Sequence, residues 1–212
     1  MGKKKELEKR AYNFEIRATE NDNGEKIIDG RPIVYNSVTD IGWYDEVIES
    51  GALDGTDLTD VRFLVNHNTE MIPLARSRRN NGNSTMQLTP DFQGLSIQVK
   101  LDVENNTDAR ALYSAIERKD LTGMSFCFSV DDEEWENLES EHPIRHIRKI
   151  SSVVEVSAVT FPAYDATEIY ARGKEALENA RSLVETKRQQ REQSLEKDLQ
   201  LEKAKFDFIK SI

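Results

Sequence analysis

Cysteine and histidine are scarce in this chain, which has one cysteine and three histidines among 212 residues. The single cysteine, Cys127, excludes an internal disulfide and a zinc site of four thiolates, so a reducing compartment is expected. Long apolar runs are also missing, since none approaches the roughly 20 residues that span a bilayer. The charged segment 1–10 lacks the apolar stretch of a secretory signal. These absences predict a cytoplasmic protein without membrane contact, and the sequence indicates no cofactor.

An excess of positive charge is absent as well, because the net charge is -10 and the isoelectric point is near 5.0. Nucleic-acid phosphates bind clusters of Lys and Arg that carboxylates do not balance, whereas both signs are interleaved here. The sequence therefore disfavours specific nucleic-acid binding. The apolar fraction of 37% is enough for a core, and the length suits one good-sized domain with an appendage.

Composition divides the chain into a charged N-terminal arm, 1–11, a strand-rich domain, 12–170, and a helical tail, 171–212. In the tail Gly, Pro and aromatic residues become scarce, and apolar residues recur at helical spacing. A long polar helix of this kind is typical of a coiled-coil-like scaffold or targeting arm, which predicts a homo-oligomer, or of a solvated tail. The spaced apolar residues are Leu177, Ala180, Val184, Leu195, Leu199 and Phe206.

Short runs rich in β-branched or aromatic residues predict strands before residue 170. Two alternating runs joined by the segment from Pro90 to Gly94 predict a hairpin. The pattern predicts an α+β fold, mainly an antiparallel β-barrel of short strands surrounded by helices, with a long C-terminal helix. The predicted strands are 14–17, 33–35, 61–65, 84–88, 95–101, 124–130 and about 144–159, the helices are 44–52 and 108–119, and an acidic loop is predicted at 131–141.

A candidate serine nucleophile, Ser125, stands two residues after Gly123 at the head of an alternating strand. Glycine permits a close backbone approach and can leave N–H groups free for an oxyanion. Serine also needs a base, and His67 follows an apolar run, at a strand end where its side chain can face a cleft. The alternative is structural, with Ser125 on the small polar face of a half-buried strand under a helix and His67 an ordinary hydrogen-bonded residue.

Glu155 is the one carboxylate in an apolar run, 153–159, where an unpaired charge is costly to bury. A histidine ring is a suitable partner, because the carboxylate fixes the tautomer and stabilises the imidazolium. The alternatives are an edge position in water or an ion pair with Arg145 or Arg148. His142 and His146 have helical spacing, but Pro143 disfavours a helix there, so no metal pair is expected.

Together these segments resemble the tailed-phage prohead, or head maturation, protease family, which is similar in fold to the herpesvirus assemblin proteases. The matching passages occur in the family's order over about residues 12 to 170. Cys127 departs from the family pattern, since many relatives have Gly there, and it could narrow the oxyanion region. The passages are Glu46–Ala52, Val65–Asn68, Pro73–Arg76, Gly94–Leu95, Leu121–Phe128 and Val154–Tyr164.

This resemblance implies a serine endopeptidase that cleaves the major capsid protein and scaffold segments, and often itself, inside the immature capsid in the host cytoplasm. It implies His67 as the general base, Ser125 as the nucleophile and a seven-stranded type of barrel. The herpesvirus relatives use a second histidine as third member. Glu155 occupies the comparable place here and is assigned that role, with His146 as the rival.

The alternative function is non-enzymatic. In that hypothesis the tail 171–212 assembles coat subunits as a scaffold, and the strand-rich domain is an inactive protease. A distance distinguishes the two hypotheses, because a separation beyond about 5 Å between the Ser125 Oγ and either His67 nitrogen favours the scaffold.

Overall fold

Eleven strands and two helices make up the part of the chain that the computed structural model describes, residues 6–12, 16–79, 81–160 and 166–210. The strands are β1 (Glu8–Tyr12), β2 (Ile16–Glu20), β3 (Lys26–Val34), β4 (Thr39–Asp40), β5 (Asp45–Ile48), β6 (Asp60–Val65), β7 (Ala75–Arg78), β8 (Met86–Asp91), β9 (Gly94–Leu101), β10 (Gly123–Glu136) and β11 (Ile144–Val159). The helices are α1 (Thr107–Glu117) and α2 (Ala166–Lys210). The predicted α+β class with a C-terminal helix is confirmed.

The longest strands, β10 and β11, pair antiparallel and form the centre of a seven-stranded sheet. On its other side β11 pairs in parallel with β5 near its start and with β6 near its end. Strand β1 lies at the edge of this sheet, paired antiparallel with β10. The C-terminal ends of β6 and β11 and the N-terminal end of β10 therefore meet on neighbouring strands.

The second sheet contains β2, β3, β9 and β8 in that order, all antiparallel. The predicted hairpin is its β8–β9 pair, with a turn of Phe92 and Gln93 between Asp91 and Gly94. Helix α1 packs on β2, and its N-cap Asn106 accepts bonds from the backbone N–H groups of the first turn. Its buried face contains the expected apolar residues, Ala109, Leu112, Tyr113 and Ile116.

The predicted barrel is not confirmed, because the two sheets of the described residues do not close into one hydrogen-bonded cylinder. The larger sheet is also mixed, since β11 runs parallel to both β5 and β6. One cluster of buried apolar side chains nevertheless contains residues of both sheets and of α1, so a continuous core joins them. Its fully buried members include Ile28, Leu88, Val99, Phe63, Phe126 and Val156.

Two local predictions were wrong. Segment 45–48 is strand β5 rather than part of a helix, because it pairs with β11 and alternates half-buried with buried residues. Gly51 then takes a positive φ of 85°, which a continuing helix does not allow. The acidic segment 131–136 is not a loop but continues β10. Basic residues opposite it on β11 explain this, since Lys149 pairs with Asp131 at 3.4 Å and Arg148 pairs with Glu134.

Helix α2 begins at Ala166, five residues before the expected start of the tail. It contacts the body of the protein near Leu177, which is buried with Ile41 and Tyr44, and through Arg181, which donates to backbone carbonyls of residues 138 and 140. Residues 181–197 are exposed. No helix in the described ranges is long and apolar enough to cross a membrane. The predicted strand 14–17 falls partly outside the described residues, which resume at Ile16.

Candidate active site

Three adjacent strands bring the candidate residues together. Glu155 lies on β11 and Ser125 lies on β10. Ser125 is paired across the two strands with Ser157 of β11. His67 follows β6, whose residue Leu64 pairs with Ser157 from the other side of β11. Alternate residues of a strand share a face, so Ser157 and Glu155 project to the same side of the sheet as Ser125.

The three side chains form a continuous chain of contacts. The Nε2 of His67 lies 2.5 Å from the Oγ of Ser125, and its Nδ1 lies 2.7 Å from the Oε2 of Glu155. The side chain of His67 is 4% exposed and that of Glu155 is 8% exposed. Burial excludes competing water from both contacts, which strengthens them. The arrangement places an imidazole nitrogen beside a hydroxyl, and a carboxylate beside the other nitrogen of the same ring.

The loop after β6 holds His67 in an unusual backbone conformation. Asn66 and His67 have φ values of 50° and 55°, a region that costs energy for residues other than glycine. Asn66 compensates by bonding Thr160 twice, with its Oδ1 accepting from the backbone N–H at 2.9 Å and its Nδ2 donating to Oγ1 at 3.1 Å. The backbone N–H of Asn66 also donates to Ala158. These bonds tie the loop to the end of β11 and aim the imidazole at Ser125.

Ser157 belongs to the site but was not among the site residues predicted from the sequence. Its Oγ accepts the backbone N–H of His67 at 3.1 Å and donates to the Oε1 of Glu155. The hydroxyl therefore supports both the base and the carboxylate. Its alternation with Glu155 along β11 is a sequence signal, but only the register with β10 and β6 shows what it faces.

Strand β1 covers the candidate nucleophile. Ala11 pairs with Ser125, and the Ser125 Oγ donates to the backbone carbonyl of Arg10 at 2.8 Å. Ser125 is 0% exposed. The segment expected to be a charged arm thus contributes a backbone oxygen to the site.

A buried ion network anchors β1. Arg10 donates to both carboxylate oxygens of Glu46, with Nε–Oε1 at 2.5 Å and Nη2–Oε2 at 2.7 Å. Arg145 donates to both oxygens of Glu8 at 2.7 and 2.9 Å and to Glu46 at 3.0 Å. Burial raises the pKa of Glu8, but the bonds and charges of Arg145 and Arg10 outweigh it and lower that pKa to about 2.

The remaining histidines lie elsewhere. His146, the rival third member, contacts Glu49 at 3.1 Å and Glu136 at 3.3 Å, whereas Glu155 is the group in contact with His67. His142 bonds the Oδ1 of Asp45 at 3.1 Å. With the exposed Asp40 these two form a group whose possible ligand atoms lie within 4.8 Å of one another.

The alternative partners considered for Glu155 are engaged with other carboxylates. Arg145 bonds Glu8, Glu46 and Glu133. Arg148 pairs with Glu134 and with Glu49. Glu155 is therefore a buried carboxylate with a histidine and a serine as its partners.

Comparison with known proteins identifies the family of this chain. The sequence pattern of the caudovirus prohead serine proteases matches residues 12–181. The chain belongs to that family. Among solved structures, this prohead serine protease family member is similar to the bacteriophage T4 capsid assembly protease gp21, with 12% identity and a TM-score of 0.33 over 72% of this chain and 98% of that chain. No curated protein sequence matches it.

Proposed function

We propose that this protein is a serine endopeptidase in which Ser125 is the nucleophile, His67 the general base and Glu155 the group that orients His67. The observation that carries the proposal is the pair of contacts at 2.5 and 2.7 Å that links the three side chains through the imidazole. Membership of the prohead serine protease family supports the same chemistry.

The proposed reaction has two steps. The Ser125 Oγ attacks the carbonyl carbon of a peptide bond while its proton passes to the Nε2 of His67, and His67 then gives that proton to the departing amine. In the second step a water attacks the acyl-enzyme and His67 again takes and returns the proton. The Glu155 carboxylate holds the N–H of Nδ1 throughout and stabilises the imidazolium. The Ser157 hydroxyl holds the Glu155 carboxylate and the His67 backbone in position through one hydrogen bond to each.

The proposed substrates are the major capsid protein and scaffold segments, together with this chain itself. The proposal follows from the family, whose description names the prohead. We place the reaction inside the immature capsid in the host cytoplasm, where enclosure raises the concentration of substrate around each enzyme.

The scaffold hypothesis is not favoured as the sole function, because the 2.5 Å separation between His67 and Ser125 is half the separation of about 5 Å that would favour it. Helix α2 supports a narrower role for the tail. Its 45 residues span about 67 Å, and Leu183, Val184 and Leu195 are exposed on it. We propose that segment 171–212 is an arm that pairs with a second copy and carries the protease into the assembling shell.

Co-expression with the coat protein of the same phage tests the catalytic assignment. Intact mass measurement should detect cleaved products with the wild-type chain and none with Ser125→Ala. Ser129→Ala is the matched control, because Ser129 is buried on the same face of β10 but bonds Ser151 and Ser152 instead of His67. Cleavage by Ser125→Ala at the wild-type rate would refute the assignment.

A further inference from the structure

We propose that the edge of β10 covered by β1 is the binding site for the main chain of an extended polypeptide substrate, and that residues 8–12 occupy this site in cis and hold the enzyme latent. The inference rests on the proposed function and adds the binding mode of the substrate and the regulation of the same site. It is carried by the position, the hydrogen bonding and the anchoring of β1.

The position of β1 blocks the nucleophile. Ser125 is fully buried, and Ala11 faces it directly across the strand pair. Within the described residues β1 is an edge strand that pairs with β10 alone. Removing it would expose a strand edge whose backbone groups can bind any extended peptide, and the peptide would then run past Ser125. Such strand pairing is formed by main-chain hydrogen bonds, so a site of this kind can bind peptides of many sequences.

The hydrogen bond to Arg10 also withholds the proton that the base must take. Ser125 has one hydroxyl proton, and two acceptors lie within hydrogen-bond distance of its Oγ: the backbone carbonyl of Arg10 at 2.8 Å and the Nε2 of His67 at 2.5 Å. The Arg10 carbonyl therefore competes with the base for that proton. While the hydroxyl donates to Arg10, it does not donate to His67, and removal of β1 would remove the competing acceptor.

The ion network holds β1 from the opposite face of the sheet. Arg10 pairs with Phe126 rather than with Ser125, so its side chain projects away from the candidate triad. Arg10 and Glu8 bond Glu46 of β5 and Arg145 of β11. The anchor can therefore be weakened without touching the reacting groups, while Arg145 keeps Glu46 and Glu133 as partners.

The family pattern supports the view that β1 is separable from the catalytic domain. The match begins at residue 12, so Glu8 to Ala11 lie outside it. The strand that covers Ser125 is thus built mostly from residues that precede the shared sequence.

The test measures how fast full-length proteins are labelled by a fluorophosphonate. This probe reacts with an activated serine: the serine oxygen forms a bond to phosphorus, and fluoride leaves. Glu8→Gln combined with Arg10→Gln releases β1. The matched control is Arg31→Gln with Asp91→Asn, which removes a two-bond arginine–carboxylate pair of 2.7 and 2.7 Å on the other sheet. Backbone hydrogen exchange of residues 8–12 is followed in parallel, and Ser125→Ala reports labelling at other sites.

We expect the β1 variant to exchange faster at 8–12 and to label Ser125 roughly tenfold faster than the wild type, as loss of two or more charge-assisted bonds predicts. The control pair should behave as the wild type. A synthetic peptide of residues 6–12, added to the β1 variant, should slow labelling again, and a scrambled peptide should not. If the double variant is unfolded, Glu8→Gln alone should give an intermediate acceleration, because Arg10 keeps Glu46.

Two different failures are distinguishable. If residues 8–12 exchange faster but Ser125 labels no faster than in a reactive wild type, β1 is not the barrier and the inference is overturned while the proposed function stands. If neither the wild type nor the β1 variant is labelled at Ser125, although residues 8–12 of the variant exchange faster, the catalytic assignment itself is wrong and the inference is overturned with it.

Discussion

Single residues of the candidate site depend on neighbours that are distant in sequence. Glu155 is 88 positions from His67, yet their side chains are 2.7 Å apart. Ser157 joins both through one hydroxyl, and Asn66 ties the strained loop to the same strand end. The chemistry therefore follows from the register of β6, β11 and β10 more than from any local motif.

Replacement of Glu155 by Gln should lower kcat by about 10⁴-fold with the fold intact, because an amide cannot stabilise the imidazolium by charge and allows the wrong tautomer. Steady-state cleavage of a peptide taken from the mapped target bond would measure the loss. Ser157→Ala is the comparison, since it removes one supporting hydrogen bond from Glu155 and one from the His67 backbone. It should cost about tenfold to hundredfold, mostly in kcat. Equal activity of Glu155→Gln and wild type would exclude Glu155 from the mechanism.

Among the elements, the hairpin of β8 and β9 shows how a single glycine permits close packing. Gly94 has a φ of 140°, and a Cβ there would lie 2.0 Å from the backbone carbonyl oxygen of Ile33. The neighbouring atom belongs to β3 backbone and cannot rotate away. The glycine therefore fixes the approach of the hairpin turn to the next strand.

Gly94→Ala should lower the free energy of unfolding by about 3 kcal/mol or more, as expected for backbone strain combined with overpacking. Chemical denaturation followed by circular dichroism would measure it. Gly82→Ala is the control, because no described atom beyond its two chain neighbours lies within 4 Å of its Cβ position and no positive φ is required there. A change within about 0.5 kcal/mol is therefore expected. Equal stability of the two variants would contradict the role of the close approach.

At the scale of the whole molecule, the ion network links strand β1 to β5 and β11 of the larger sheet. Glu46 is 1% exposed and sits between Arg10 and Arg145, which are each 3% exposed. A buried charge is tolerated only when it is paired, so these residues stabilise the fold as a group.

Stability should therefore fall in acid through Glu8. Its pKa of about 2 in the folded protein is below the ordinary value of 4.5, so the stabilisation is complete above pH 4.5 and is lost as the pH falls towards 2. The contribution is on the order of 3 kcal/mol. Unfolding free energies of wild type and Glu8→Gln, measured between pH 7 and pH 3, should differ most at pH 7 and converge in acid. Parallel curves would show that Glu8 does not account for the dependence.

The proposed pairing of the tail predicts an association that depends on its exposed apolar residues. In sedimentation velocity, the wild-type protein should be a dimer or higher oligomer. The double variant Leu183→Glu with Leu195→Glu should be a monomer, because both leucines are exposed on α2 and are proposed to pair with a second copy. Gln189→Glu in the polar middle of the helix is the control and should leave the mass unchanged. A wild-type chain that sediments as a monomer at high concentration would contradict the proposal.

The sequence by itself determined the elements whose patterns are local. Alternation predicted the β8–β9 hairpin, a run rich in β-branched and apolar residues predicted the strand at about 144–159, and helical spacing predicted the four buried residues of α1. It failed at 45–48 and 131–136, because pairing with β11 gave those segments a strand conformation that their own residues do not specify.

The sequence also nominated His67, Ser125 and Glu155 as candidates, because a histidine at a predicted strand end, a serine two residues after glycine and a single carboxylate in an apolar run are visible in one dimension. The family resemblance then implied their roles. The tertiary structure brings Glu155, and not the rival His146, into contact with His67, adds the hydrogen bonds of Ser157, and pairs Ala11 of β1 with Ser125. The physical reason is that a local pattern fixes which way a side chain points on its strand, whereas strand register fixes what it meets.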